Sequence, residues 1–168
     1  MQSSEQHQDH QPAPRRGKSR GQSRDSVWDI PGFLPKTKVT TSFGNMPIEG
    51  LRVRDPVRVR SGAYRRVEWI DKIHVDADFL ACFPDAFPVV LGANSIIRNS
   101  PPWDIHMSPV QKVIYPQEWA RPTPKMAKDL LGRPGVRRSQ DTNFTYYLFH
   151  CGQPEYVLID EIWCHTTP

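Results

Sequence analysis

The sequence predicts an all-β fold of short, mostly antiparallel strands with one short helix, preceded by a disordered N-terminal tail. Three observations carry this. Seventeen prolines and ten glycines punctuate the whole chain of 168 residues rather than one linker, which favours brief strands and turns over long helices. Apolar residues recur at alternate positions or in short β-branched runs. The composition, 38% hydrophobic with five Trp and seven Phe, supplies a core for a single unit.

Residues 1–26 hold only Met1 and Ala13 as apolar side chains among Gln, Ser, Arg, Pro and His. Such a segment cannot bury enough surface to offset the entropy of ordering, so the tail is assigned to 1–26 and the folded domain to 27–168. Thr37 to Phe43 is rich in β-branched residues and stops at Gly44-Asn45, a strand and turn. Asp55 to Arg60 alternates apolar and basic residues before Ser61-Gly62, which sets Arg58 and Arg60 on one water-facing side. Tyr64 to Val75 reads as one long strand with Val67, Trp69, Ile73 and Val75 on a common side. Phe87 to Leu91, Ile105 to Met107 and Lys112 to Tyr115 follow as short strands. The helix is assigned to Pro124–Leu131, with Thr123 as cap, proline at the first helical position and Gly132 past the end. Thr145 to Phe149, Tyr156 to Ile159 and Ile162 to His165 close the chain as terminal hairpins.

Charge restricts the partners. The formal net charge is +4. The tail contributes +2 of it, from Arg15, Arg16, Lys18, Arg20 and Arg24 against Glu5, Asp9 and Asp25, leaving +2 over 142 residues. That is too diffuse for a basic face, so nucleic acid is not expected as a partner. The aromatic set of Trp28, Trp69, Trp103, Trp119, Phe144, Tyr146 and Tyr147 reads as core and cross-strand pairs rather than a stacking platform. Three cysteines, no secretory h-region after Met1 and no membrane-length apolar run give a cytoplasmic expectation with no membrane contact. A monomer without cofactor is expected.

Several segments, in order, resemble the Hint domain, the hedgehog and intein autoprocessing fold, and most closely its bacterial branch that opens Cys-Phe-Thr-Pro-Gly-Thr. Here that opening reads Gly32-Phe33-Leu34-Pro35-Lys36-Thr37. Met46-Pro47-Ile48-Glu49-Gly50-Leu51, through Asp55, is similar to the following turn. Arg65 to Ile70 and Phe87 to Ala93 are similar to the next strands. Met107-Ser108-Pro109-Val110-Gln111-Lys112-Val113 resembles the serine-proline-glutamine-histidine-arginine-valine block, and Tyr147 to Phe149 with Pro154 to Asp160 the closing hairpin. The similarity runs from about residue 28 to residue 165.

The resemblance implies a horseshoe of strands that brings the domain's first residue and its end to one site. In active members the first residue's thiol or hydroxyl attacks the preceding carbonyl, and the block histidine assists proton transfer at the scissile amide. Tethering supplies effective molarities on the order of 10⁵ M or more. This sequence departs at each of those positions. Gly32 stands at the nucleophile position, Gln111 at the block histidine, and Pro154 where a histidine precedes the closing strand. Glutamine donates hydrogen bonds but shuttles no proton near neutral pH. Ser26, Thr37 and His106 lie at the wrong offsets to substitute. The former site positions are therefore Gly32, Ser108, Gln111 and Pro154, and the binding-cleft candidates are Phe33, Thr37, Ser108, Gln111 and Glu155.

The expected function is that of a Hint-like domain degenerate for autoprocessing, acting as a binding or scaffold module for a protein or small ligand in the former active-site cleft. Two alternatives stand beside it: self-cleavage by an intramolecular acyl shift near Pro31-Gly32, and binding of nucleic acid or an acidic partner through the basic tail. His150-Cys151 and Cys164-His165 carry zinc-type ligands. Adjacent strand residues face opposite ways, however, so no metal site is assigned.

Overall fold

The computed structural model of the chain describes residues 27–115 and 120–168. The tail assigned to 1–26, with its Arg15–Arg24 run and Ser26, and Trp119 lie outside the described residues. What is described is strand-rich, built on antiparallel pairs, with one short α-helix, as the sequence predicts.

The strands are β1 (Lys38–Thr41), β2 (Gly44–Pro47), β3 (Pro56–Arg58), β4 (Tyr64–Arg66), β5 (Trp69–Val75), β6 (Val89–Leu91) and β7 (Ile105–Met107). They continue with β8 (Lys112–Ile114), β9 (Lys125–Met126), β10 (Val136–Arg138), β11 (Phe144–His150), β12 (Glu155–Ile159) and β13 (Ile162–Thr166). One sheet runs β4-β3-β1-β12-β13-β8-β9, with β2 folded back on β1. A second runs β10-β6-β7, and β5 pairs with β11 along its whole length. Val39, Val57, Val157 and Cys164 point from the first sheet into the main core, each fully buried or nearly so.

Three assignments from sequence are corrected. Pro124–Leu131 is not an α-helix: Lys125–Met126 pair with Lys112 and Val113, and only Ala127–Leu130 turn as a 3-10 helix. The N–H groups of Ala127 and Lys128 donate to the carbonyls of Gln111 and Pro109 at 2.9 Å, so a neighbouring loop takes the bonds that would start a helix. The α-helix, α1, is instead Ala77–Cys82. The Asp76 carboxylate caps it by accepting from Phe79 N at 2.9 Å, Asp78 complements the first turn, and Pro84 follows its end. Six residues are too few for periodicity to reveal.

The long strand from Tyr64 to Val75 divides between two sheets. Val67 N donates to Asp55 O at 3.0 Å, whereas Glu68 N donates to His150 O at 2.9 Å; the chain changes partner within one peptide. Finally, only β12 and β13 form a terminal hairpin, because β11 pairs with distant β5. Strand β10 escaped the sequence reading, its Val136-Arg137-Arg138 being too short to carry a pattern. It meets β6 beside a close backbone approach, where Gly92 N donates to Gly135 O at 2.7 Å and a Cβ on Gly92 would lie 2.6 Å from that oxygen.

No helix among the described residues is long and apolar enough to cross a membrane.

Candidate functional site

Gly32, Phe33 and Leu34 thread between β7 and β11. Phe33 exchanges both backbone bonds with Tyr147, at 3.0 and 2.7 Å, while Ser108 N donates to Gly32 O at 2.9 Å and Leu34 N to His106 O at 3.2 Å. The segment thus acts as an extra strand joining the β6–β7 and β5–β11 pairs, and Phe33 is 2% exposed. Flanked on both sides, Gly32 leaves little room for a side chain. A Cβ there would meet Tyr147 O at 3.1 Å and Tyr146 Cβ at 3.3 Å, with φ at +158°.

Ser108, fully buried at the end of β7, ties down the chain entering Gly32. Its Oγ donates to Ile30 O at 2.6 Å and accepts from Trp28 Nε1 at 3.0 Å. Trp28 is itself buried against the Tyr146 and Phe79 rings, with centroids 5.4 and 5.8 Å away. Gln111 is 1% exposed. Its Nε2 donates to His165 O at 2.8 Å, stitching β13 to the loop before β8, and to the adjacent Lys112 O at 3.1 Å, so both amide hydrogens are engaged.

These contacts bring Gly32, Gln111 and the closing strand together. Pro31, Gly32, Gln111, Trp69, His165 and Thr166 line one void of about 40 Å³, close to the share of liquid volume taken by a single water, about 30 Å³. The Thr166 Oγ1, buried, has no hydrogen-bond partner among the described residues. His165 lies beside the Tyr156 ring at 5.1 Å. Burial pulls its imidazole below the ordinary histidine value and the Lys112 ammonium adds to this, so the ring is neutral at neutral pH. Next to the void, Asp29, Pro31, Val110, Lys112, Met126 and His165 line a groove of about 300 Å³, at the lower edge of the size range of ligand sites.

Of the residues singled out from sequence, Gly32, Phe33 and Gln111 line the void, and Ser108 lies behind it. Thr37 lines a different cavity. Pro154 is exposed in the turn before β12, and Glu155 is turned to Arg65, 3.3 Å away, and Gln153; neither lines the void. His165 and Trp28 were not singled out as partners of this site. The register of β13 on β8 places His165 there, and pairing between strands nearly fifty residues apart leaves no local signal. In the two His-Cys pairs, Cys151 and Cys164 are buried while His150 stacks on Trp69, centroids 5.3 Å apart. Burial raises the Cys151 thiol to about 11, with Glu155 and Glu68 adding, and raises Cys164 well above the usual thiol value. Neither is a thiolate nucleophile at neutral pH.

A larger cavity of about 580 Å³ lies elsewhere, between the turn before β1, the segment leading into β7 and the loop before β11, lined by Thr37, Lys38, Trp103, His106, Asp141 and Asp160 among others. Asp160, 4% exposed, accepts from Trp103 Nε1 at 3.0 Å and Lys38 N at 3.2 Å. Burial pushes its carboxyl from 3.8 to about 6, opposed by those two hydrogen bonds. The folded state therefore holds a proton that the unfolded chain has released, and stability from this group falls as pH rises from about 4 to about 6. The expected result is that the melting temperature of the wild type, taken relative to Asp160→Asn at each pH, declines across that interval and is level above it. A constant difference across the interval would contradict the assignment.

A family model described as the Hint domain matches residues 31–167. No curated protein matches the chain. Among solved structures, the chain is similar to a splice-inactive variant of the AceL NrdHF class 3 split intein, at 16% identity and a TM-score of 0.49 over 82% of this chain and 98% of that one. It is also similar to the gp41-1 intein, at 12% identity and 0.47 over 83% and 99%, and to the MchDnaB-1 intein, at 10% and 0.48 over 80% and 99%.

Proposed function

The chain belongs to the Hint domain family, and we propose that within it this protein has lost self-cleavage and serves as a binding or scaffold module. One observation carries the reading. The residue at the nucleophile position is a glycine, with no hydroxyl or thiol, and a Cβ there would sit tightly at 3.1 Å from Tyr147 O and 3.3 Å from Tyr146 Cβ. An acyl shift needs a hydroxyl or thiol on the residue that follows the scissile carbonyl. Thr166 and Thr167 line the void but belong to the end of the closing strand and the residue after it, and their own nitrogens are not acylated by Pro31. Gln111, with both amide hydrogens given to backbone carbonyls, fastens the closing strand where a proton shuttle would act.

The void, about 40 Å³, is far below the roughly 300 Å³ at which ligand sites begin. A ligand would therefore take the adjoining groove, where the Lys112 ammonium, the neutral His165 ring and the Asp29 carboxylate surround an apolar floor of Val110 and Met126. Hydroxylamine, which cleaves esters and thioesters but spares amides, tests the loss of chemistry. The chain treated with hydroxylamine is expected to release nothing at Pro31. A fragment of residues 1–31 carrying a C-terminal hydroxamate would overturn the reading.

A further inference from the structure

The eight-stranded sheet turns cations and aromatic rings to one face, and among the described residues its strands keep carboxylates off it. Alternation along β3, β12 and β13 makes this explicit. Arg58 of β3 and Tyr64 and Arg66 of β4 are exposed opposite the buried Val57. Tyr156 and Leu158 of β12 alternate with buried Val157 and Ile159, and Trp163 and His165 of β13 with buried Ile162, Cys164 and Thr166. Lys112 of β8 is exposed beside buried Val113.

These side chains lie in a row across adjacent strands. Arg60 N donates to Tyr156 O at 3.0 Å. Tyr156 is opposite His165, and the step beyond Cys164↔Val113 sets His165 beside Lys112. Electrostatics agree: the positive charges of Arg60 and Lys112 act on the Tyr156 hydroxyl and the His165 ring respectively. At about 4.8 Å per strand the row from Arg60 to Lys112 spans roughly 15 Å, with Arg58, Tyr64 and Arg66 extending it at the sheet's edge.

Along the chain these cations alternate with acids, and the summed charge is small. The fold separates them. Glu155 shares the inward-facing side of β12 with Val157 and pairs with Arg65, itself opposite Val57. Asp160 is buried against Lys38 N and Trp103. No outward position of β1, β3, β4, β8, β12 or β13 holds a carboxylate; Asp29, beside Lys112, and Glu161, at the β12–β13 turn, border the face.

We propose that this sheet face binds single-stranded nucleic acid, Arg58, Arg66 and Lys112 taking phosphates and Tyr64, Tyr156 and His165 stacking bases. The face shares Lys112 and His165 with the groove beside Gly32, whereas Arg58, Tyr64 and Arg66 lie outside that groove. Cations alone would suit any polyanion. Aromatic rings interleaved with them on an open sheet suit unpaired bases, which every ring can stack on irrespective of sequence.

The test is fluorescence anisotropy of a labelled oligo-dT of about 12 nucleotides titrated with the full chain at several salt concentrations. Arg58→Ala with Arg66→Ala, both exposed, is expected to weaken binding about tenfold or more at low salt and to make the log–log salt slope shallower by about 1.4, two contacts at about 0.7 each. Tyr64→Ala is expected to weaken binding about tenfold with the slope unchanged. The proposal is overturned if the wild type does not bind at low salt, or if the arginine variant binds as the wild type does, which would assign binding to the basic tail. It is equally overturned if polyglutamate or anionic lipid vesicles displace the oligonucleotide at equal charge, or if duplex DNA binds as tightly and Tyr64→Ala changes nothing.

Discussion

Gly32→Cys is expected to leave the chain uncleaved and to lower its melting temperature by about 6–12 °C. From sequence alone, refilling Gly32 and Gln111 would be the route back to an active family member. The packing around residue 32 works against it. A Cβ at residue 32 meets the Tyr147 carbonyl at 3.1 Å and Tyr146 Cβ at 3.3 Å, and both belong to β11, which is held along seven residue pairs by β5. The backbone φ of +158° is one that residues with a side chain rarely adopt. Overpacking against so firm a wall costs about 1–3 kcal/mol and the backbone conformation about 1 kcal/mol more. At roughly 3 °C per kcal/mol for a domain of this size, the loss is readily seen. Gly32→Ala, which adds the Cβ without the thiol, is expected to lose most of the same stability. A cysteine variant that melts with the wild type, or splits at Pro31 on addition of thiol, would show that the site has kept the room and geometry this account denies it.

Ser108→Ala is expected to cost about 2–4 kcal/mol. The change removes one oxygen and strands the indole N–H of Trp28, 3% exposed, and the carbonyl of Ile30, and also takes away a longer bond from Val110 N at 3.4 Å. A buried polar group left unpaired forfeits its full desolvation penalty, roughly 1–3 kcal/mol each. Trp28→Phe removes the donor in advance, so Ser108→Ala in that background should cost less than in the wild type by about 1 kcal/mol or more. Equal costs in both backgrounds, read by denaturant titration, would mean that the Trp28 bond carries no stability.

The all-β class and the ends of most strands were legible because alternation and turn residues are local. Val39, Val57 and Val59 are buried as the pattern predicts, and Arg58 faces water. Partnerships were not legible. Val67-Glu68 gives no hint that one peptide changes sheets, and nothing in Pro124–Leu131 says that Gln111 and Pro109 will take its N–H groups. The candidate site divides the same way. Gly32, Ser108 and Gln111 could be found because a run of short motifs resembles a known family. His165 and Trp28 join them only through β13 pairing with β8 and an indole reaching across eighty residues. The cationic face was hidden for the same reason: Arg58, Arg66 and Lys112 become neighbours in space, and Glu155 turns away, only once β12 lies between distant strands.

The central claim is that this family member keeps the scaffold and lacks the reaction. Intact-mass spectrometry of the purified 168-residue chain, followed for days at neutral pH with and without added thiol, tests it most directly. The account predicts a single species at the full 19.3 kDa throughout. Fragments that accumulate in a protease-free preparation, with a new N-terminus at Gly32, would contradict it.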